Sequence, residues 1–223
     1  NLDLEARINA LPASLLNAFV PSINAAGSIS GTINASGTAA APAVSYDLEW
    51  SDAQLRQMGD AGIGPFRLQA AGTFADNTLA LEQTSLTGSG GLNVTADGRV
   101  VLDKNGGPAL NINAQARAVP AALANAFVPN LGAQGIISGT VTATGTPQAP
   151  AVRYDLRWDN AAVSQTTGAG VSAVDITAGG TFQDGRVTVD TRLTGGGGIA
   201  LSGGGSVGVT GERPLDLRFS GRV

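Results

Sequence analysis

The chain has no cysteine and no histidine, and lysine occurs once, at Lys104. Those absences remove disulfides, thiolate- or imidazole-bound zinc, haem held through histidine, and nucleophilic triads of the Ser-His or Cys-His kind. Lack of cysteine fits a reducing or an oxidising compartment equally, and excludes only a small disulfide-stapled scaffold. Charged residues make up 13% of the chain, against roughly 25% in an ordinary soluble domain. A net charge of −4 without any basic run argues against nucleic acid and an anionic membrane surface as partners. Two Trp, two Tyr and six Phe are too few for the paired aromatic girdles of a transmembrane barrel. Apolar runs stay well short of the 18 or so residues that span a bilayer, and there is no leader pattern, so no transmembrane segment is expected. Starting at Asn1, the chain is expected to be a fragment of a longer polypeptide.

Glycine, by contrast, supplies 32 of the 223 residues, about double its usual 7% share. The sequence is also repeated. At an offset of 108, Asn17-Ala18-Phe19-Val20-Pro21 recurs as Asn125 to Pro129, Ser30-Gly31-Thr32 as Ser138 to Thr140, and Ala41-Pro42-Ala43-Val44 as Ala149 to Val152. Tyr46-Asp47-Leu48 with Trp50 returns as Tyr154-Asp155-Leu156 with Trp158, and Gly72-Thr73-Phe74 as Gly180-Thr181-Phe182. Past Phe74 the offset falls to 107, Leu86-Thr87-Gly88 matching Leu193-Thr194-Gly195, a shift that a strand bulge or turn insertion produces. Leu2-Asp3-Leu4, Leu110-Asn111-Ile112 and Leu215-Asp216-Leu217 each open a unit. The expected organisation is a first repeat over 1–109, a second over 110–214 and the first strand of a third over 215–223, in one continuous structural unit cut from a longer array.

Within each unit the apolar period is two, which predicts antiparallel strands with one apolar and one polar face. The class is therefore all-β. Turn signals fall at Ala75-Asp76-Asn77, Asp97-Gly98, Asn105-Gly106-Gly107 and Gln183-Asp184-Gly185. One short helix per repeat is predicted, near 12–19 and near 120–127, because Pro12 and Pro120 suit a first turn, Leu15, Leu16 and Phe19 share a side, and Pro21 and Pro129 stop it. So short a helix must dock its apolar side on the sheet, as a cap over one end of the apolar face or as a gate over a ligand path. With about eight strands per unit the ladder would run roughly 80 Å, and so long a sheet must curl or fold over.

Motifs that could carry chemistry fail on context. Gly168-Ala169-Gly170-Val171-Ser172-Ala173 matches the letter of a dinucleotide loop without its strand, long helix and acidic residue. The runs Gly195–Gly198 and Gly203–Gly205 lack the aspartates of calcium-binding repeats and are read as bulges or bends. The paired carboxylates Asp47 and Glu49 become Asp155 and Arg157 in the second unit, so a solvated strand face explains them better than acid/base catalysis. No enzyme, metal or cofactor is expected.

The apolar positions read as strands include Ile29, Ile33, Val44, Tyr46, Leu48, Trp50, Phe66, Leu68, Phe74, Leu79 and Leu81 in the first unit. Their counterparts are Ile137, Val141, Val152, Tyr154, Leu156, Trp158, Val174, Ile176, Phe182, Val187 and Val189. Other positions on that face, such as Gly31, Ala35, Ala70, Gly72, Gly139, Ala143, Ala178 and Gly180, are small. A closed sandwich needs bulk there to reach native packing density. Either two walls lie very close, or something else fills the space.

The order of these motifs, from Leu-Asp/Asn-Leu through Phe-Val-Pro, Ser-Gly-Thr and Ala-Pro-x-Val to Gly-Thr-Phe, resembles the C-terminal half of the TamB group in the AsmA-like bridge-forming lipid-transfer family of Gram-negative bacteria. The resemblance covers essentially the whole chain. It implies a long sheet folded into a half-pipe, or β-taco, whose apolar groove is lined by the large residues named above. It further implies a periplasmic segment of a protein anchored in the inner membrane by an N-terminal helix. Its ligands would be phospholipid acyl chains, with support of outer-membrane protein assembly through a barrel partner of the TamA/BamA type. The groove could equally shelter an unfolded barrel strand at the sheet's edge. A surface adhesin or structural β-solenoid without a ligand groove is the alternative from another class.

Overall fold

A computed structural model describes residues 2–18, 20–38, 41–60, 62–103, 107–126, 128, 130–209 and 215–222. Phe19, Phe127 and Pro129, and the turn expected at Asn105-Gly106, lie outside the described residues. Thirteen strands form one antiparallel sheet in strict chain order. They are β1 (Leu2–Pro12), β2 (Ala26–Gly37), β3 (Pro42–Gln54), β4 (Phe66–Ala75), β5 (Thr78–Gly88), β6 (Asn93–Asp103) and β7 (Gly107–Pro120), followed by β8 (Gln134–Thr146), β9 (Ala149–Ala162), β10 (Val174–Gln183), β11 (Arg186–Gly195), β12 (Ala200–Gly208) and β13 (Leu215–Arg222). The fold is all-β and the sheet is open: β1 and β13 have one neighbour each among the described residues.

Six strands fill each repeat, not the expected eight or so, and the ladder is about 58 Å long at about 4.8 Å per strand. The sequence overcounts because several strands reach 11 to 14 residues, longer than the usual 5 or 6. Asp97-Gly98, expected as a turn, instead lies inside β6, paired with Asn113 and Ile112 on β7. The turns at Asp76-Asn77 and Asp184-Gly185 form as expected, with positive φ at both residues of each pair, the signature of a type I′ hairpin.

The change of offset between repeats has a single physical origin. On β5, Gln83 faces Ala71 and Leu81 faces Gly72, so Glu82 is an extra residue bulged out of the ladder. In the second repeat β10 and β11 pair without interruption. Most other bulges recur at matching places, for example between Ile8 and Leu11 on β1 and between Ala116 and Val119 on β7; the shift between Asn93 and Val94 on β6 has no counterpart on β12.

Strand direction alternates, so the helical connections gather on one end of the sheet. The expected short helices appear as 3-10 turns over Ala13–Ala18 and Ala121–Ala126. The structure adds a 3-10 turn at Pro21–Ile23, beginning at the proline expected to stop the first helix, and two further helical pieces in each repeat: the five-residue helices α1 (Arg56–Asp60) and α2 (Ser164–Gly168), and the 3-10 turns Ser89–Gly91 and Gly196–Gly198. The last of these uses three of the four glycines of Gly195–Gly198, which thus form a rim turn and not a bulge. The asparagine of the repeated Asn-Ala-Phe-Val-Pro motif holds this end together. Asn17 accepts the Ala25 N–H at 2.7 Å and donates to the Ala25 carbonyl at 3.1 Å. Asn125 does the same for Ala133, so each side chain stands in for a missing backbone partner.

The buried apolar side chains also sit at this end. Ala53, Ile63, Phe66 and Leu92 form a cluster, with Trp50, Leu68, Leu86 and Met58 packed around it and Val119, Leu123 and Ala126 sealing it from the next repeat. Trp50 and Phe66 meet edge to face at 5.7 Å between ring centroids. The first repeat's core is therefore completed by β7 and the turn that follows it. Such nearest-neighbour completion is characteristic of stacked repeats.

Candidate functional site

Directly opposed residues in a ladder point to one face, so the register decides which side chains share a surface. Ile29, Trp50, Leu68, Leu86 and Val94 form one row across β2 to β6. Beyond a row of Gly31, Leu48, Ala70 and Thr84 come Ile33, Tyr46, Gly72 and Leu81, and then Val44, Phe74 and Leu79. In the second repeat Ile137, Trp158 and Ile176 align, as do Val141, Tyr154, Gly180 and Val189, and Val152, Phe182 and Val187. Leu48 and Leu156 face Gly31 and Gly139. With Val174 opposite Ala161, every residue expected on the apolar face lies on one surface.

All of them are half-buried except Phe66, which is 5% exposed. Phe66 is a member of the rim core and does not line an open groove. Trp50 and Leu68 belong to both environments, since they pack on that core while remaining half-buried. Beyond the residues expected there, the register also places Leu86, Val94, Val100, Ile112, Leu193 and Leu217 on this face. Their alternation is present in the sequence, but the Glu82 bulge and Gly98 break its phase. Thr84 interrupts the aliphatic lining, and its hydroxyl is buried with no partner among the described residues.

Two devices keep this face shallow and curved. Gly31 and Gly139 have φ of +149° and +140°, and a Cβ at either would run into the carbonyl of Asp47 or Asp155 on the adjacent strand. Here two backbones approach so closely in mid-strand that only glycine fits, and the sheet creases there into a half-pipe. The second device is a tyrosine laid over a glycine. A Cβ at Gly72 or Gly180 would fall 2.6 Å from the hydroxyl of Tyr46 or Tyr154. Each ring spans β4 or β10, and its hydroxyl donates to a carbonyl on the strand beyond, Ala80 at 3.1 Å and Thr188 at 2.8 Å. The indoles behave alike: Trp50 and Trp158 Nε1 donate to the carbonyls of Ala26 and Gln134 at 2.9 and 2.8 Å. The four amphipathic aromatics thus turn their polar atoms to the backbone and their rings to the apolar face.

Burial raises the pKa of both phenols, with the nearby carboxylates of Glu82 and Asp190 adding to the shift. A raised folded-state pKa means that the folded chain prefers the neutral phenol. Their contribution to stability is complete below the ordinary value of 10.0 and is lost as pH rises through the folded-state values. Because the chain has two tyrosines and no more, phenolate absorbance in an alkaline titration should rise above pH 10 for both, with unfolding accompanying the rise. A transition at the ordinary tyrosine value in the folded protein would contradict this placement.

The polar face shows what became of the paired carboxylates. Glu49 accepts from the Ser51 hydroxyl at 2.6 Å and the Gln69 amide at 2.9 Å, and lies 3.6 Å from Arg67. These hydrogen bonds, helped by the arginine, lower its pKa, the opposite of what a general acid requires. In the second repeat Arg157 stands in its place and pairs with Asp159 and Asp175.

At the helical rim the turn Ala121–Ala126 docks as expected, with Leu123 against the first repeat's core. The turn Ala13–Ala18 is held by the buried Ala13 and by Asn17, but its leucines are not seated: Leu15 is 53% exposed, since the described residues hold no core cluster on its outer side for it to seal. No helix among the described residues is long and apolar enough to cross a membrane. Comparison with protein-family models, characterised proteins and solved structures finds no match to this chain.

Proposed function

We propose that the apolar face is a conduit for the acyl chains of phospholipids, carried along the half-pipe without a single tight site. One observation supports this reading above others: a field of half-buried aliphatic and aromatic side chains, broken at Thr84 and at small residues, crosses both repeats, while the fully buried apolar side chains are confined to the helical rim. A fully buried Leu, Ile or Val contributes about 1.5–3 kcal/mol. A half-buried one leaves on the order of 1 kcal/mol for a ligand to collect. Spread over many small steps, such an affinity suits sliding better than capture. Head groups would stay near the open margin formed by the hairpin turns, opposite the helical rim.

The resemblance set out above adds the context: a periplasmic bridge segment of an inner-membrane-anchored protein, working with an outer-membrane barrel partner. It involves no catalytic step. A photo-crosslinking residue at Leu48, Leu68 or Leu156 should give phospholipid adducts, whereas the same residue at Asp47, Gln69 or Asp155 should not. Adducts at the polar set, or at neither, would overturn the conduit and favour a structural solenoid.

A further inference from the structure

We propose that the cleft between Asn24 and α1, on the helical rim, binds the carboxylate of a small amphiphile of the fatty-acid type, with its first methylenes against Met58. The site belongs to the rim and is independent of the conduit.

The two repeats differ here at a pair of positions. Asn24 and Gly132 are counterparts at the repeat offset, and both hold a left-handed backbone, with φ of 45° and 60°. Arg56 and Ser164 form the second pair, each opening its short helix. In the second repeat the gap is closed from within: the Ser164 N–H donates to the Leu131 carbonyl at 2.8 Å, and a Cβ on Gly132 would run into the Ser164 side chain. In the first repeat arginine replaces that serine, and position 24 carries an amide side chain in a conformation that glycine adopts without strain. Between them lies a cleft of about 310 Å³, at the lower end of the roughly 300–1,000 Å³ of small-molecule sites. Closure in the second repeat uses that repeat's own residues, so the opening in the first does not arise from either end of the chain.

The lining divides by chemistry. Asn24, Gln54 and Arg56 bring amide and guanidinium N–H donors, while Leu55, Met58 and Ile63 are apolar. Leu55 and Met58 are half-buried against the rim core, of which Ile63 is a member. Among the described residues Arg56 has no ion-pair partner, although Asp60 lines the same cleft. A planar guanidinium fork flanked by amides matches a carboxylate in bidentate geometry. Asp60 offsets the charge of Arg56, so the cleft suits one negative charge better than the two of a phosphate monoester. The methylenes next to the carboxylate would lie on Leu55 and on Met58, whose flexible thioether adapts to them.

Decanoate, titrated into the intact chain labelled with methyl-¹³C methionine, tests this, because Met58 is the one methionine and gives a single resonance. Decanoate should shift that resonance saturably, and decanol, which lacks the charge, should need at least about ten times the concentration. Decyl phosphate should bind more weakly than decanoate. Arg56→Gln should weaken decanoate binding by about tenfold, through loss of the charge-assisted pair. The double variant Asn24→Gly with Arg56→Ser, which installs the second repeat's pair, should abolish the shift. Both residues are exposed, so these variants should fold, and an unchanged circular dichroism spectrum checks that. The proposal is overturned if decanoate leaves the Met58 resonance unmoved, if decanol matches decanoate, or if binding survives the double variant. Tighter binding of decyl phosphate would overturn the carboxylate in favour of a phosphate head.

Discussion

Phe66→Ala is expected to destabilise the protein by about 3–5 kcal/mol, the usual cost of truncating a buried Phe, and to lower the thermal midpoint by roughly 10 °C at about 2–4 °C per kcal/mol. The matching change in the second repeat, Val174→Ala, should cost only about 1 kcal/mol. The two positions are equivalent in the repeat, yet Phe66 lies in a cluster closed by Leu123 and Ala126 from the following repeat. Val174 is half-buried, beside the exposed Val171. Thermal melts of both variants, followed by circular dichroism, check this. Equal losses at the two sites would mean that each repeat carries its own core and that completion by the neighbour is not what stabilises the array. Leu123→Ala separates the cases further, since it removes the seal without touching the first repeat's own residues and should reproduce much of the Phe66→Ala loss.

The sheet is legible because its two strongest signals, the period of two and the repeat near 108 residues, can both be read along the chain without knowing which strands pair. Tyr46, Leu48 and Trp50 alternate with Asp47 and Glu49 in the sequence as they do on the two faces of β3. The rim core was harder to see. Ala53 and Leu92 are buried through a bulge at Ser51-Asp52 and a glycine turn at Ser89–Gly91, and neither leaves an apolar period behind. Phe66 looked like groove lining because it alternates correctly with Leu68, while its burial comes from elements far along the chain. Gly98 misled in the other direction. Beside Asp97 it reads as a turn, but its backbone freedom is used to fold the sheet in mid-strand. Composition showed that the apolar face is poor in bulk, while only the register showed that tyrosine rings lie across the gaps at Gly72 and Gly180.

Gly139→Val should cost about 3–5 kcal/mol, combining roughly 1–3 kcal/mol of backbone strain with roughly 1–3 kcal/mol of overpacking. Ala143→Val, four residues along the same strand and face, should change stability by less than about 1 kcal/mol. Both substitutions add the same kind of bulk to the apolar face, so a lining that tolerates any small aliphatic residue would respond to them alike. The structure separates them. At Gly139 the backbone has φ +140° and a Cβ would lie 2.8 Å from the Leu156 Cα, against the carbonyl of Asp155. Ala143 already carries a Cβ in ordinary strand geometry opposite Val152. The strain at Gly139 can be relieved only by opening the crease between β8 and β9, which flattens the half-pipe. Urea unfolding of both variants measures the stability difference, and crosslinking yield from Leu156 reports the shape of the groove. A flattened sheet should lose lipid adducts at Leu156 in Gly139→Val even below the unfolding midpoint, while Ala143→Val keeps them. Retention of full stability in Gly139→Val would show that the mid-strand glycines do not set the curvature, and with it would go the physical basis for a continuous groove.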